Sequence, residues 1–76
     1  MKLTILAFAQ AREAYGFSAR VVACEAGETV REVLGRVVPG ADWGTLAVAL
    51  DREYVLLDTL VGGAAELALI PPVSGG

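Results

Sequence analysis

Residues 29–40 constrain the fold more than any other part of this chain. Thr29-Val30-Arg31-Glu32 has the form of a capping box. In it the threonine hydroxyl and the glutamate carboxylate each satisfy an amide left unpaired in the first helical turn. Val30, Val33, Leu34 and Val37 follow at i, i+3, i+4 and i+7, a single apolar stripe. Arg31, Glu32 and Arg36 face away from it. A helix with one such stripe has to lie on something. In a chain of 76 residues, the remaining short apolar runs can supply that surface only as a sheet. Gly35 inside the helix costs about 1 kcal/mol relative to alanine, a cost that close packing against the sheet would explain. Pro39-Gly40 ends the helix.

The flanking runs read as strands. Lys2–Ala9 carries Leu3, Ile5 and Ala7 on one face and Leu6 and Phe8 on the other, which suits an interior position in the sheet. Gln10–Tyr15 forms a short helix stopped by Gly16. Ser18–Cys24 is the second strand. The span before it is too short for a parallel crossover, so it pairs antiparallel with the first. Thr45–Leu50 is the third strand and Tyr54–Leu57 the fourth, with a polar turn, Asp51-Arg52-Glu53, between them. Asp58-Thr59-Leu60 reads as a one-turn cap and Gly62-Gly63 as a turn. Glu66–Ile70 is the last strand, ended by Pro71-Pro72, which cannot continue a ladder. The order is an α+β arrangement, a small mixed sheet with one main helix packed across one face. Residues 1–70 form the domain and 71–76 an extended tail. The uncovered face keeps apolar side chains such as Phe8 near the surface, as partner sites do.

Composition removes most chemistry. The chain has no histidine and one cysteine, Cys24. Disulfides, a Cys/His metal site and histidine-based acid–base catalysis are therefore not expected, and no metal ligands are assigned. Six Lys/Arg against nine Asp/Glu is the wrong balance for neutralising phosphates, so nucleic acid is not an expected partner. No apolar run approaches the ~18–20 residues that cross a membrane. Gln10, Arg12 and Glu13 interrupt the N-terminal apolar run before it could serve as a signal peptide. The expected compartment is the cytoplasm. Cys24, ending an apolar strand, reads as a small buried hydrophobe more readily than as a nucleophile. Gly62-Gly63 is not a phosphate loop, because no helix with Lys, Ser or Thr follows it. Trp43 is given no role.

The end of the sequence, Pro71-Pro72-Val73-Ser74-Gly75-Gly76, is the most informative segment for function. A frayed terminus rich in small residues is the ordinary explanation. At about 7% average glycine usage, however, two terminal glycines arise by chance in about one chain in 200. Two residues without Cβ can enter a channel too narrow for side chains. A stiff Pro-Pro segment projects the tail outward, and six extended residues reach about 20 Å. That is enough to place the Gly76 carboxylate in another protein's active site, where it could be activated as an acyl adenylate.

Strand, strand, helix and strands closing on this tail resemble the ubiquitin-like β-grasp sulfur carriers, and among them the small subunits of molybdopterin synthase. Phe8-Ala9-Gln10-Ala11-Arg12-Glu13 is similar to the family's F-A-x-x-R-E. Ala49-Leu50-Asp51 stands where the family commonly has A-V-N. Leu69-Ile70-Pro71-Pro72-Val73-Ser74-Gly75-Gly76 matches its tail. Asp51 in place of Asn keeps a turn former; Ala64-Ala65 replace the family's Gly-Asp. The resemblance implies that Gly76, preceded by Gly75, is adenylated by a ubiquitin-activating-like enzyme using ATP and becomes a thiocarboxylate. The carrier would then dock on the large synthase subunit and give its sulfur to a pterin precursor. It implies contact roles for Phe8, Arg12, Ile70, Pro71, Pro72, Val73 and Ser74, and no cofactor bound by this chain itself. Carriers for thiamine or tRNA thiolation, a protein modifier joined through Gly76 to lysines, and an inert binding module are the alternatives.

Overall fold

The computed structural model describes residues 1–39 and 47–70, the side chains of Ala9 and Gln10 excepted. The elements run β1 (Lys2–Ala7), α1 (Ala9–Tyr15), β2 (Ala19–Ala23), α2 (Val30–Val37), β3 (Ala47–Leu50), β4 (Glu53–Val55) and β5 (Glu66–Ile70). The sheet order is β2-β1-β5-β3-β4. β1 pairs antiparallel with β2, Leu3 opposite Val22, and parallel with β5, Ile5 opposite Leu67. β3 pairs antiparallel with both β5 and β4. The two-faced apolar β1 is thus interior, and the expected antiparallel β1–β2 pair forms. This mixed sheet with its helix is the ubiquitin-like β-grasp arrangement.

Register decides what becomes core. Ile5, Leu67 and Leu50 lie in one cross-strand row, and Ala7, Leu69 and Val48 in the next. All six are buried, and they join Leu3 with Val30, Val33 and Leu34 of α2 in one cluster. The helix starts as its sequence demands. The Glu32 amide donates to Thr29 Oγ1 at 3.1 Å, and the Thr29 amide donates to Glu32 Oε1 at 2.9 Å. The amides of Val30 and Arg31 donate to the carbonyls of Thr59 and Leu57, at 3.0 and 2.9 Å. The segment after β4 is therefore a strap that satisfies helix-end donors lacking a partner inside the helix. Thr29 bridges Leu60, and Arg31 pairs with Asp58 at 2.9 Å. The expected one-turn cap at Asp58-Thr59-Leu60 is this strap.

Several boundaries move. β1 ends at Ala7 rather than Ala9, because Phe8 takes an extended N-cap conformation and its carbonyl accepts the Ala11 amide. β2 is Ala19–Ala23 rather than Ser18–Cys24. β4 is Glu53–Val55 rather than Tyr54–Leu57, since the backbone of Leu57 serves α2 instead of the ladder. Thr45, Leu46 and Trp43 lie outside the described residues. Gly35 needs a different explanation from the close packing expected of it. It is exposed, and a Cβ built there meets nothing within 4 Å. Val38, beyond the apolar stripe, is buried as the helix C-cap.

Asp51 does more than form a turn. With Arg52 it makes a two-residue connection between β3 and β4, and both residues have positive φ, 48° and 72°, as a type I′ hairpin turn requires. Asp51 Oδ1 also accepts the amides of Ala65 and Glu66, at 2.9 and 3.0 Å, and its own amide donates to the Glu66 carbonyl at 3.0 Å. The turn thereby pins the start of β5. Ala64-Ala65 fit without strain because Gly62 supplies the positive φ, 60°.

Candidate functional site

The face of the sheet opposite the core carries the alternate residues. Leu6 of β1, Ala68 of β5, Ala49 of β3 and Tyr54 of β4 form one row across four strands. The two middle members are alanines, and the outer two are large. The row is consequently a trough, low at Ala68 and Ala49 and walled by Leu6 with Phe8 on one side and Tyr54 on the other. Ile70 stands at one end, and Arg52 and Glu66 complete the rim. The groove has a volume of about 390 Å³. Phe8 is 49% exposed and Tyr54 71%. The expected apolar side chains near the surface are therefore present, in one continuous patch.

Of the residues singled out in the sequence, Phe8 and Ile70 are brought together here. Ile70 is the last residue of β5, and the Phe8 amide donates to the Leu69 carbonyl at 3.4 Å. β5 therefore ends beside Phe8, at the rim of the groove. Arg12 is exposed on α1, the helix that begins directly after Phe8; it is not one of the groove walls. Pro71, Pro72, Val73, Ser74, Gly75 and Gly76 lie outside the described residues. Sequence reading missed Ala49, Ala68, Tyr54 and Arg52 as one surface. The small-large alternation in β3 was the only signal, and it does not reveal which strand lies alongside.

No acid–base constellation among the described residues accompanies the groove. Among the described residues no cluster of His, Cys, Asp and Glu could hold a metal ion. Cys24 is 5% exposed and belongs to the core. The one perturbed carboxyl among the described residues is Glu28, held below its usual range by the Glu25 amide first and by Arg36 next. Glu28 pairs with Arg36, whose Nη2 donates to the Ala23 carbonyl at 2.9 Å. That network ties α2 to the end of β2, remote from the groove. Among the described residues, the site presents an apolar surface. No helix among the described residues is long and apolar enough to cross a membrane.

Known proteins are similar to this chain in sequence and in fold. The ThiS family model matches residues 5–76. The molybdopterin synthase sulfur carrier subunit of Arabidopsis thaliana is 32% identical, covering 100% of this chain and 84% of its own. The protein of the same name from Haemophilus influenzae is 35% identical, covering 97% and 99%. Among solved structures, the small archaeal modifier protein 1 of Haloferax volcanii superposes with a TM-score of 0.75 at 26% identity, over 95% and 98% of the two chains. A chain from the complex of subunits 1 and 2 of the molybdopterin-converting factor of Helicobacter pylori shares the fold, with a TM-score of 0.67 at 22% identity over the whole of both chains. A family match over nearly the whole sequence and full-length relatives above 30% identity, on a β-grasp sheet whose last strand ends beside an open apolar face, converge on one assignment: the chain belongs to the ThiS family, with molybdopterin synthase sulfur carrier subunits as its relatives.

Proposed function

We propose that this chain is the sulfur carrier subunit of a molybdopterin synthase and carries sulfur as a thiocarboxylate on Gly76. A carboxylate oxygen of Gly76 attacks the α-phosphorus of ATP on a ubiquitin-activating-like enzyme, and pyrophosphate leaves. Sulfide-level sulfur then attacks the acyl carbon and AMP leaves, so that a thiocarboxylate remains. On the large synthase subunit that sulfur attacks a pterin precursor. Hydrolysis returns the glycine carboxylate, and two such turns build the dithiolene. The carrier binds no cofactor in this scheme, ATP is consumed by the partner, and the cytoplasm is the working compartment.

The observation that carries this reading is the family match running through Gly76, in a chain whose last strand ends beside the exposed Phe8. A narrow Gly-Gly end can reach a buried active centre, while the apolar face supplies area for docking. The domain then needs no reagents of its own, in keeping with a composition that lacks histidine.

Intact-mass spectrometry of the protein taken from its native cytoplasm tests this directly. The expected species has sulfur in place of one terminal oxygen. Deleting Gly76 is expected to abolish molybdopterin synthesis in a reconstituted system with the large subunit; synthesis that persists would refute the reading. A second reading, a protein modifier conjugated to lysines, is favoured by the likeness to the Haloferax volcanii modifier protein. It predicts high-mass conjugates in the same spectrum.

A further inference from the structure

We propose that Arg52 is the polar recognition residue of the open face and holds a carboxylate of the partner that covers the groove. This rests on the reading above, in which that partner is the large synthase subunit. Arg52 sits in the left-handed region, at φ 72°. A glycine there would meet the demands of the type I′ turn with less strain. Its neighbour Asp51, also at positive φ, has an internal reason to be there, since its carboxylate anchors the start of β5. Arg52 has none. It is exposed, and among the described residues its side chain makes no hydrogen bond, ion pair or ring contact.

Of the other five Lys and Arg side chains, Lys2 and Arg12 are exposed and do not line the groove, and three have partners. Arg20 lies over the Phe17 ring at 4.6 Å, Arg31 pairs with Asp58 and Arg36 with Glu28. Among the described residues, only Arg52 is a cation lining the groove. A strained residue kept where a simpler one would serve, with its side chain at the rim of an open apolar surface, points outward for its purpose. The chemistry it selects is an anion at the edge of an apolar contact. An arginine fork takes a carboxylate with two parallel hydrogen bonds. Ile70, the residue that residues 71–76 follow in the sequence, lines the groove together with Phe8, so a partner holding those six residues is positioned to cover the groove as well. The complementary partner surface is an apolar ridge with an Asp or Glu at the end away from the tail.

Binding of the full chain to the large subunit, compared among the wild type, Arg52→Gly, Arg52→Glu and Phe8→Asp, tests the assignment. Arg52→Gly is expected to raise Tm by a few degrees while weakening binding about tenfold at low salt. Arg52→Glu is expected to weaken it further. Both losses should shrink at high salt, because a rim charge is screened. Loading of Gly76 with sulfur should proceed normally in Arg52→Gly. Wild-type affinity in Arg52→Gly at low salt, with Phe8→Asp still impaired, overturns the role of Arg52 and leaves the carrier reading standing. A loss of binding that is the same at both salt concentrations also overturns it. Failure of the wild type to bind the large subunit at all overturns the carrier reading and this assignment together.

Discussion

Alternate residues of β1, β3 and β5 point to opposite faces of one sheet, and the two faces are composed differently. Toward α2 stand Leu3, Ile5, Leu67, Leu69, Val48 and Leu50, branched aliphatic side chains packed out of reach of water. Toward the open side stand Leu6, Phe8, Ala68, Ile70, Ala49 and Tyr54, where large side chains flank alanines and a groove remains. Both sets are apolar, so hydrophobicity alone does not separate them. Complementarity does. The covered face interdigitates with one helix stripe and generates stability, whereas nothing among the described residues fills the open face. Truncating a residue of one face should therefore damage folding, and altering the other should damage association.

The largest effect is expected for Leu67→Ala, in the row shared with Ile5 and Leu50. Loss of a fully buried leucine costs about 2–5 kcal/mol, a large part of the stability available to so small a domain. Urea denaturation should show most of the cooperative transition lost. Phe8→Asp comes next and should separate the two faces. Half-exposed Phe8 leaves no deep cavity, so stability should change by about 0.5 kcal/mol or less. Affinity for the large subunit should nevertheless fall by roughly 30-fold, about 2 kcal/mol. Unfolding as severe as that of Leu67→Ala would mean that the open face is core after all.

Two smaller tests concern the covered side. Gly35→Ala should stabilise by about 1 kcal/mol, because the new methyl meets open space; a lower urea midpoint would show packing around Gly35 that this structure lacks. The smallest effect is expected at Glu28. Its carboxyl is held below the ordinary value of 4.5 by the Glu25 amide and by Arg36. A pKa depressed in the folded state adds stability that is complete above the unfolded-state value and lost as pH falls through the folded one. Glu28→Gln should slightly lower the urea midpoint at neutral pH and flatten its decline below about pH 4.5. An acid limb identical to the wild type would remove Glu28 from that account.

What could be read in advance was local. The capping box at Thr29–Glu32 and the Val30-Val33-Leu34 stripe depend on residues three or four apart, and helical geometry acts on those spacings directly. The two-faced apolar pattern of β1 likewise announced an interior strand. Boundaries were less legible. Whether Phe8 extends a strand or caps a helix depends on competition for its carbonyl, and Leu57 left β4 because distant amides in α2 take its backbone. Gly35 misled for the same reason: a helix pattern records the residue but not the empty space beside it.

The functional surface divides along that line. Residue types and their order suffice to show that the chain lacks histidine, has one cysteine and carries Pro71-Pro72 ahead of Gly75-Gly76. Folding alone sets Ala49 and Ala68 side by side between Leu6 and Tyr54, brings the end of β5 at Ile70 beside Phe8, and puts Arg52 on the same rim. Those relations come from the parallel β1–β5 and antiparallel β5–β3 registers. A slip of one residue in either would turn the groove side chains inward, and no local periodicity encodes which strands become neighbours.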